Sequence, residues 1–107
     1  MPAGWFDCNA IPDERKNKIQ SDIVLLILRS NDDGKPIWYG KIKDTLVPAA
    51  MTRNEFECAF TYLEDMCFIR GRYGSLGDGR CGMCWRINER HIDGVRAEVE
   101  RKGIKLK

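Results

Sequence analysis

Residues 51–92 read MTRNEFECAFTYLEDMCFIRGRYGSLGDGRCGMCWRINERHI, and this stretch decides the fold. Thr52 and Glu55 have the Thr-x-x-Glu spacing of a capping box, in which hydroxyl and carboxylate each take up an orphan backbone N–H. Beyond that cap, Phe56, Ala59, Phe60, Leu63 and Met66 or Cys67 recur at steps of three and four, the period of one amphipathic helix face. The spacing predicts a helix over 52–67. Phe68-Ile69 then opens a basic hairpin, 68–87. Gly74, Gly77, Gly79 and Gly82, with the turn dipeptide Asp78-Gly79, separate its two strands. A helix followed by a basic two-stranded hairpin suggests a nucleic-acid-binding module.

Working outward, Asp13 to Ser30 has helical spacing, with Ile19, Ile23, Leu26, Ile27 and Ser30 on one face. Val24, Leu25 and Leu28 widen that face, so this helix is expected to be central. Asn31-Asp-Asp-Gly34-Lys-Pro36 ends it with turn chemistry. Ile37-Trp-Tyr39 is long enough only for a short strand or bridge. Gly40 to Val47 predicts a second helix with Ile42, Leu46 and Val47 inward, stopped by Pro48 because the residue before a proline is driven out of the helical region. A short helix, a tight turn and a capped helix make a helix-turn-helix. Asn88 is placed to cap a last helix from Glu89 to about residue 102, with Ile92, Val95 and Val99 inward and Gly103 as its stop. The organisation expected is an irregular arm at 1–13, on which Trp5 and Phe6 dock back, one domain at 14–103, and a tail at 104–107.

A chain of 107 residues with 43% hydrophobic content can bury one core. The longest apolar run, Ile23 to Leu28, is far below the roughly 20 residues needed to cross a bilayer. Residues 1–10 lack a basic segment followed by an apolar core, and a cytoplasmic protein is expected. Eighteen basic against sixteen acidic residues leave a net charge of +2, so only the distribution of charge can argue for a polyanionic partner.

The order helix, short strand, helix, capped helix, strand, loop, strand, helix resembles winged helix-turn-helix domains of small bacterial, archaeal and phage regulators. Phe60-Thr-Tyr-Leu63-Glu-Asp-Met-Cys-Phe68-Ile69-Arg70 is similar to the family's passage from reading helix to first wing strand. Trp85-Arg-Ile87-Asn88-Glu-Arg-His-Ile92 is similar to its passage from second wing strand to C-terminal helix. The resemblance implies a mainly α fold with a small antiparallel β wing. It also implies a DNA-binding transcriptional regulator whose helix 52–67 enters the major groove and whose hairpin touches backbone or minor groove. Homodimerisation through the arm, the first helix or the C-terminal helix is the expected assembly. Winged helices also dock proteins, and a docking module without DNA affinity stays open as the alternative.

The DNA contacts expected are Lys41 and Lys43 on the second helix, Arg53, Asn54 and Thr61 on the reading helix, and Arg70, Arg72 and Arg80 on the hairpin. Arg53 and Asn54 have shapes suited to guanine and adenine edges, although solvated helix polarity accounts for them equally. The hairpin arginines, with Arg86, are read as phosphate contacts, with edge protection as the bland alternative. Tyr73 would stack on sugar or base, or simply pack on its neighbouring strand. Against DNA stand Glu55, Glu57, Glu64 and Asp65 on the same helix as Arg53. Glu57 is the awkward one, because it shares the outward face with Arg53, Asn54, Thr61 and Tyr62.

Cys81-x-x-Cys84 has half of a zinc spacing, which Cys67 and His91 could complete only through the fold. The simpler reading puts Cys81 at the hairpin tip and Cys84 against the core beside Trp85. Cys58 and Cys67 then serve as small apolar fillers, and His91 as a surface or packing residue. No nucleophile-and-base pattern or phosphate loop appears, so neither catalysis nor a cofactor, metal or small-molecule ligand is expected.

Overall fold

The computed structural model describes residues 11–75 and 79–101. The expected arm up to residue 10 with Trp5 and Phe6, the turn residue Asp78, the stop at Gly103 and the tail lie outside the described residues. Four helices and a hairpin follow one another: α1 (Asp13–Asp32), α2 (Tyr39–Leu46), α3 (Arg53–Asp65), β1 (Ile69–Ser75), β2 (Cys81–Ile87) and α4 (Glu89–Arg101).

α1 is the hub, because three other elements pack on it: α2, α3 and β2. Ile19, Ile23 and Ile27 step along it four residues apart and, with Leu28, are essentially removed from water. Each such side chain contributes about 1.5–3 kcal/mol by burial. Asp13 and Glu14 in its first turn and Arg29 in its last complement the helix dipole. It ends in a Schellman turn, in which Lys35 N–H donates to the Ser30 carbonyl (3.0 Å) and Gly34 N–H to that of Asn31 (3.1 Å). Gly34 takes the left-handed conformation this turn requires, φ +70°.

The capping box of α3 forms as the spacing predicts: Thr52 Oγ1 accepts from Glu55 N–H at 3.1 Å, and Glu55 Oε1 accepts from Thr52 N–H at 2.9 Å. Met51 and Phe56, at the two positions of a hydrophobic staple, are both buried. The far end of α3 falls short of the helix over 52–67 that the spacing predicts. The helix stops at Asp65, because Cys67 adopts φ +61° and closes a second Schellman turn, with Phe68 N–H donating to Leu63 O (2.9 Å) and Cys67 N–H to Glu64 O (3.0 Å). Cys67 is exposed there, not a core filler. Cys58 is buried, as a filler should be, but it is disulfide-bonded.

The hairpin pairs Ile69 with Ile87, Arg70 with Arg86, Gly71 with Trp85, Arg72 with Cys84 and Tyr73 with Met83. Alternation then gives it two unlike faces. Ile69, Ile87 and Trp85 root one face in the core, and the Trp85 ring meets Phe60 edge-on at 4.9 Å. Gly71 lies under this face, where a Cβ would come within 2.7 Å of Met83 Sδ and 3.1 Å of the Trp85 ring. The other face carries Arg70, Arg72, Arg86 and Cys84. Cys84 thus lies on the face away from Trp85, half-buried, which corrects the core position expected for it. Of the short strand or bridge expected at 37–39 only a bridge forms: Trp85 N–H donates to Ile37 O at 2.8 Å, Trp38 makes an isolated bridge to Cys84, and Tyr39 already belongs to α2.

Two asparagines fasten the wing. Asn31 at the end of α1 accepts from the buried Ile87 N–H at 3.1 Å and points its amide toward Trp85 O. Asn88 caps α4 by accepting from Arg90 N–H (3.1 Å) while its amide donates to Cys67 O (2.7 Å). α4 buries Val99 and rests Ile92 and Val95 against the core, and Arg96 pairs with Asp32 of α1. Helix-turn-helix, antiparallel wing and terminal helix together are a winged helix-turn-helix.

Candidate nucleic-acid interface

α2 and α3 are held together by aromatic edges. Tyr39 meets Phe56 at 5.6 Å and Phe60 at 5.1 Å, both edge-on, the geometry that sets a positive ring rim against a negative face. This junction fixes which residues of α3 face outward. Arg53 and Thr61 are exposed and Asn54 is half-exposed, with Glu57 between Arg53 and Thr61 at helical spacing.

The carboxylates of α3 separate into three fates. Glu55 turns toward α1, where Arg15 Nε donates to its Oε2 at 2.8 Å and Arg15 Nη2 to its Oε1 at 3.1 Å, the same guanidinium also reaching Ala50 O. The Arg15 hydrogen bonds, aided by the Thr52 cap, hold the Glu55 carboxyl down at about 2. Glu57 folds back onto α2, where its Oε1 accepts from the Tyr39 hydroxyl and lies 3.4 Å from Lys43 Nζ. Burial, reinforced by that carboxylate, pushes the Tyr39 phenol well above its ordinary range. Glu64 and Asp65 remain exposed at the far end of the helix.

Two of the acids that appeared to oppose a polyanion are therefore neutralised within the fold. Lys43, expected as a phosphate contact, is half-buried against Glu57 and lies 5.7 Å from the centre of the Tyr39 ring. Lys41, one turn from Thr45, is exposed. Nothing in the sequence pattern points to Arg15 or Tyr39 as a partner of these carboxylates. The four-residue step from Tyr39 to Lys43 on α2 was visible there, but its partner lies on another helix.

On the wing, Arg70 stands directly across from Arg86, with Arg72 two residues along the same face. Like charges in direct opposition destabilise a strand pair. Among the described residues none of these three has a carboxylate partner. Arg80 is exposed beside the tip. Tyr73 is 69% exposed on the opposite face, against Met83 across the strands.

Cys81 and Cys84, three residues apart in one strand, point to opposite faces. Among the described residues no group of three or more histidine, cysteine or carboxylate side chains is placed to hold a metal ion. His91 packs its ring on Phe68 at 4.5 Å. No helix among the described residues is long and apolar enough to cross a membrane.

No protein-family model matches the chain, and no curated protein matches it either. Among solved structures it is similar to a "PadR-like Transcription factor from bacteroid fragilis", at 15% sequence identity and a TM-score of 0.56 over 84% of this chain and 85% of that one. At that identity the likeness concerns the fold, and it agrees with the winged helix built above from caps, pairing and burial.

Proposed function

We propose that this chain is a DNA-binding transcriptional regulator that works as a homodimer. It reads duplex DNA with α3 and contacts phosphates with the wing. The observation that carries this reading is the Arg70–Arg86 opposition with Arg72 beside it. The fold accepts charge repulsion there instead of spending those guanidiniums on carboxylates, while it neutralises Glu55 and Glu57 elsewhere. A phosphate backbone supplies the missing anions. Arg53, Asn54 and Thr61 are the base-side candidates, and Lys41 and Arg80 extend the phosphate contacts. The solved structure of similar fold, itself described as a transcription factor, favours the same reading. For the dimer, the support is a groove between α1 and α4 lined by Val24, Leu25, Val95 and Val99.

The test is fluorescence anisotropy with duplex DNA over a salt series. Affinity is expected to fall steeply as salt rises, and Arg70→Ala with Arg86→Ala to lessen the log–log slope by about one for each arginine removed. Undetectable binding at low salt refutes the reading. A protein-docking role is the second reading, favoured by the exposed Glu64, Asp65 and Met66 at the end of α3. It predicts a partner retained by the double arginine variant and lost on reversing the Glu64 and Asp65 charges.

A further inference from the structure

The Glu57 carboxylate has a feature that charge neutralisation alone leaves unused. Both of its partners, the Tyr39 hydroxyl and Lys43 Nζ, address the same oxygen, Oε1. Oε2 accepts no hydrogen bond among the described residues, and the side chain keeps 16% of its surface exposed, on the stripe of α3 between Arg53 and Thr61. One oxygen is anchored, and the other keeps its capacity to accept a hydrogen bond. We propose that Glu57 reads sequence: its Oε2 accepts a hydrogen bond from the exocyclic amino group of a cytosine in the major groove. This rests on the DNA-binding function proposed above.

The base follows from the donor pattern. An ionised carboxylate only accepts hydrogen bonds. Guanine shows two acceptors in the major groove, thymine one acceptor and a methyl group, and adenine an acceptor beside its amino donor. Cytosine alone offers a donor with no acceptor of its own beside it. A carboxylate is repelled by the first two, compromised by adenine, and suited to cytosine. Its approach to a polyanion is ordinarily opposed by phosphate repulsion. Here Lys43 and the Tyr39 dipole offset that charge, and Arg53, one turn away on the same side, adds a cation. Anchoring through Oε1 also holds the side chain in one geometry, which lowers the entropy cost of a single directed hydrogen bond.

The experiment is selection from randomised duplex DNA by the full chain and by its Glu57→Gln and Glu57→Ala forms, with affinity for a scrambled duplex measured in parallel. The wild-type chain is expected to select cytosine at one position per half-site, by about tenfold. Glu57→Gln keeps an acceptor for Tyr39 and gains a donor, so the same position is expected to shift toward adenine. Glu57→Ala is expected to become indifferent there, other positions being unchanged. Should the alanine form fail to fold, the glutamine form carries the test, since it preserves the Tyr39 contact. Base preferences identical to wild type at every position in Glu57→Gln overturn the inference, even where overall affinity drops, and so does a wild-type selection without that cytosine. Wild-type protein that binds no duplex removes the DNA-binding function itself.

Discussion

Replacing Glu55 by glutamine isolates one charge at the contact between α1 and α3. The glutamine carbonyl still accepts from Thr52 N–H, so the backbone side of the capping box persists and only the ion pair with Arg15 goes. Arg15 and Thr52 hold the carboxyl at about 2, against an ordinary 4.5. A full conversion of that difference, at 1.36 kcal/mol per unit, sets a ceiling of about 3 kcal/mol. The Glu55 side chain is 17% exposed and that of Arg15 34%, so water screens the pair, and about 1–2 kcal/mol is the expected effect. Because the folded carboxyl titrates below the unfolded one, this contribution is complete above about pH 5. It disappears as pH falls from 4.5 toward 2. Urea denaturation of both proteins between pH 2 and 7 measures it. The wild-type advantage should be about 1–2 kcal/mol at neutral pH, worth several degrees in Tm, and close to nil near pH 2. A stability difference that stays flat across this range refutes the reasoning, since a neutral packing defect has no such dependence. An Arg15→Met background should abolish most of the difference, because the two residues act on one interaction.

Two further substitutions check the turns and the latch. Cys67→Gly is expected to stabilise the protein by about 0.5–1 kcal/mol in chemical denaturation, since relief of the left-handed strain at φ +61° exceeds the added freedom of glycine in the unfolded chain. The glycine already present in the equivalent Schellman turn of α1 is the internal precedent. Asn31→Ala leaves the buried Ile87 N–H without its acceptor and is expected to cost about 1–3 kcal/mol, with faster amide exchange at Ile87 and Trp85 than in α3.

What could be read from the chain alone was whatever neighbours in sequence decide. The Thr52–Glu55 box, the apolar period of α1 and α3, the helix stop at Gly34 and the Asn88 cap depend on residues within one or two turns of each other. Such contacts form whichever way the elements later pack. The glycine-rich turn between the basic segments of the wing is equally local, and it predicts a basic hairpin. Even local patterning misplaces one boundary: an apolar period continuing through Cys67 cannot reveal that this residue turns left-handed and ends the helix early.

Tertiary structure alone decided which charges are spent. Arg15 and Glu55 are 40 positions apart, Tyr39 and Glu57 18, and Asn31 and Ile87 56. Nothing in the neighbourhood of Glu57 shows that a phenol and a lysine from α2 would claim one of its oxygens. Nor does the spacing of Cys81 and Cys84 say which faces the core; that follows from the register that sets Trp85 against Phe60. Helix periodicity determines that a carboxylate points outward, but its partner is chosen by how two helices are packed. In this fold the aromatic junction of α2 and α3 makes that choice.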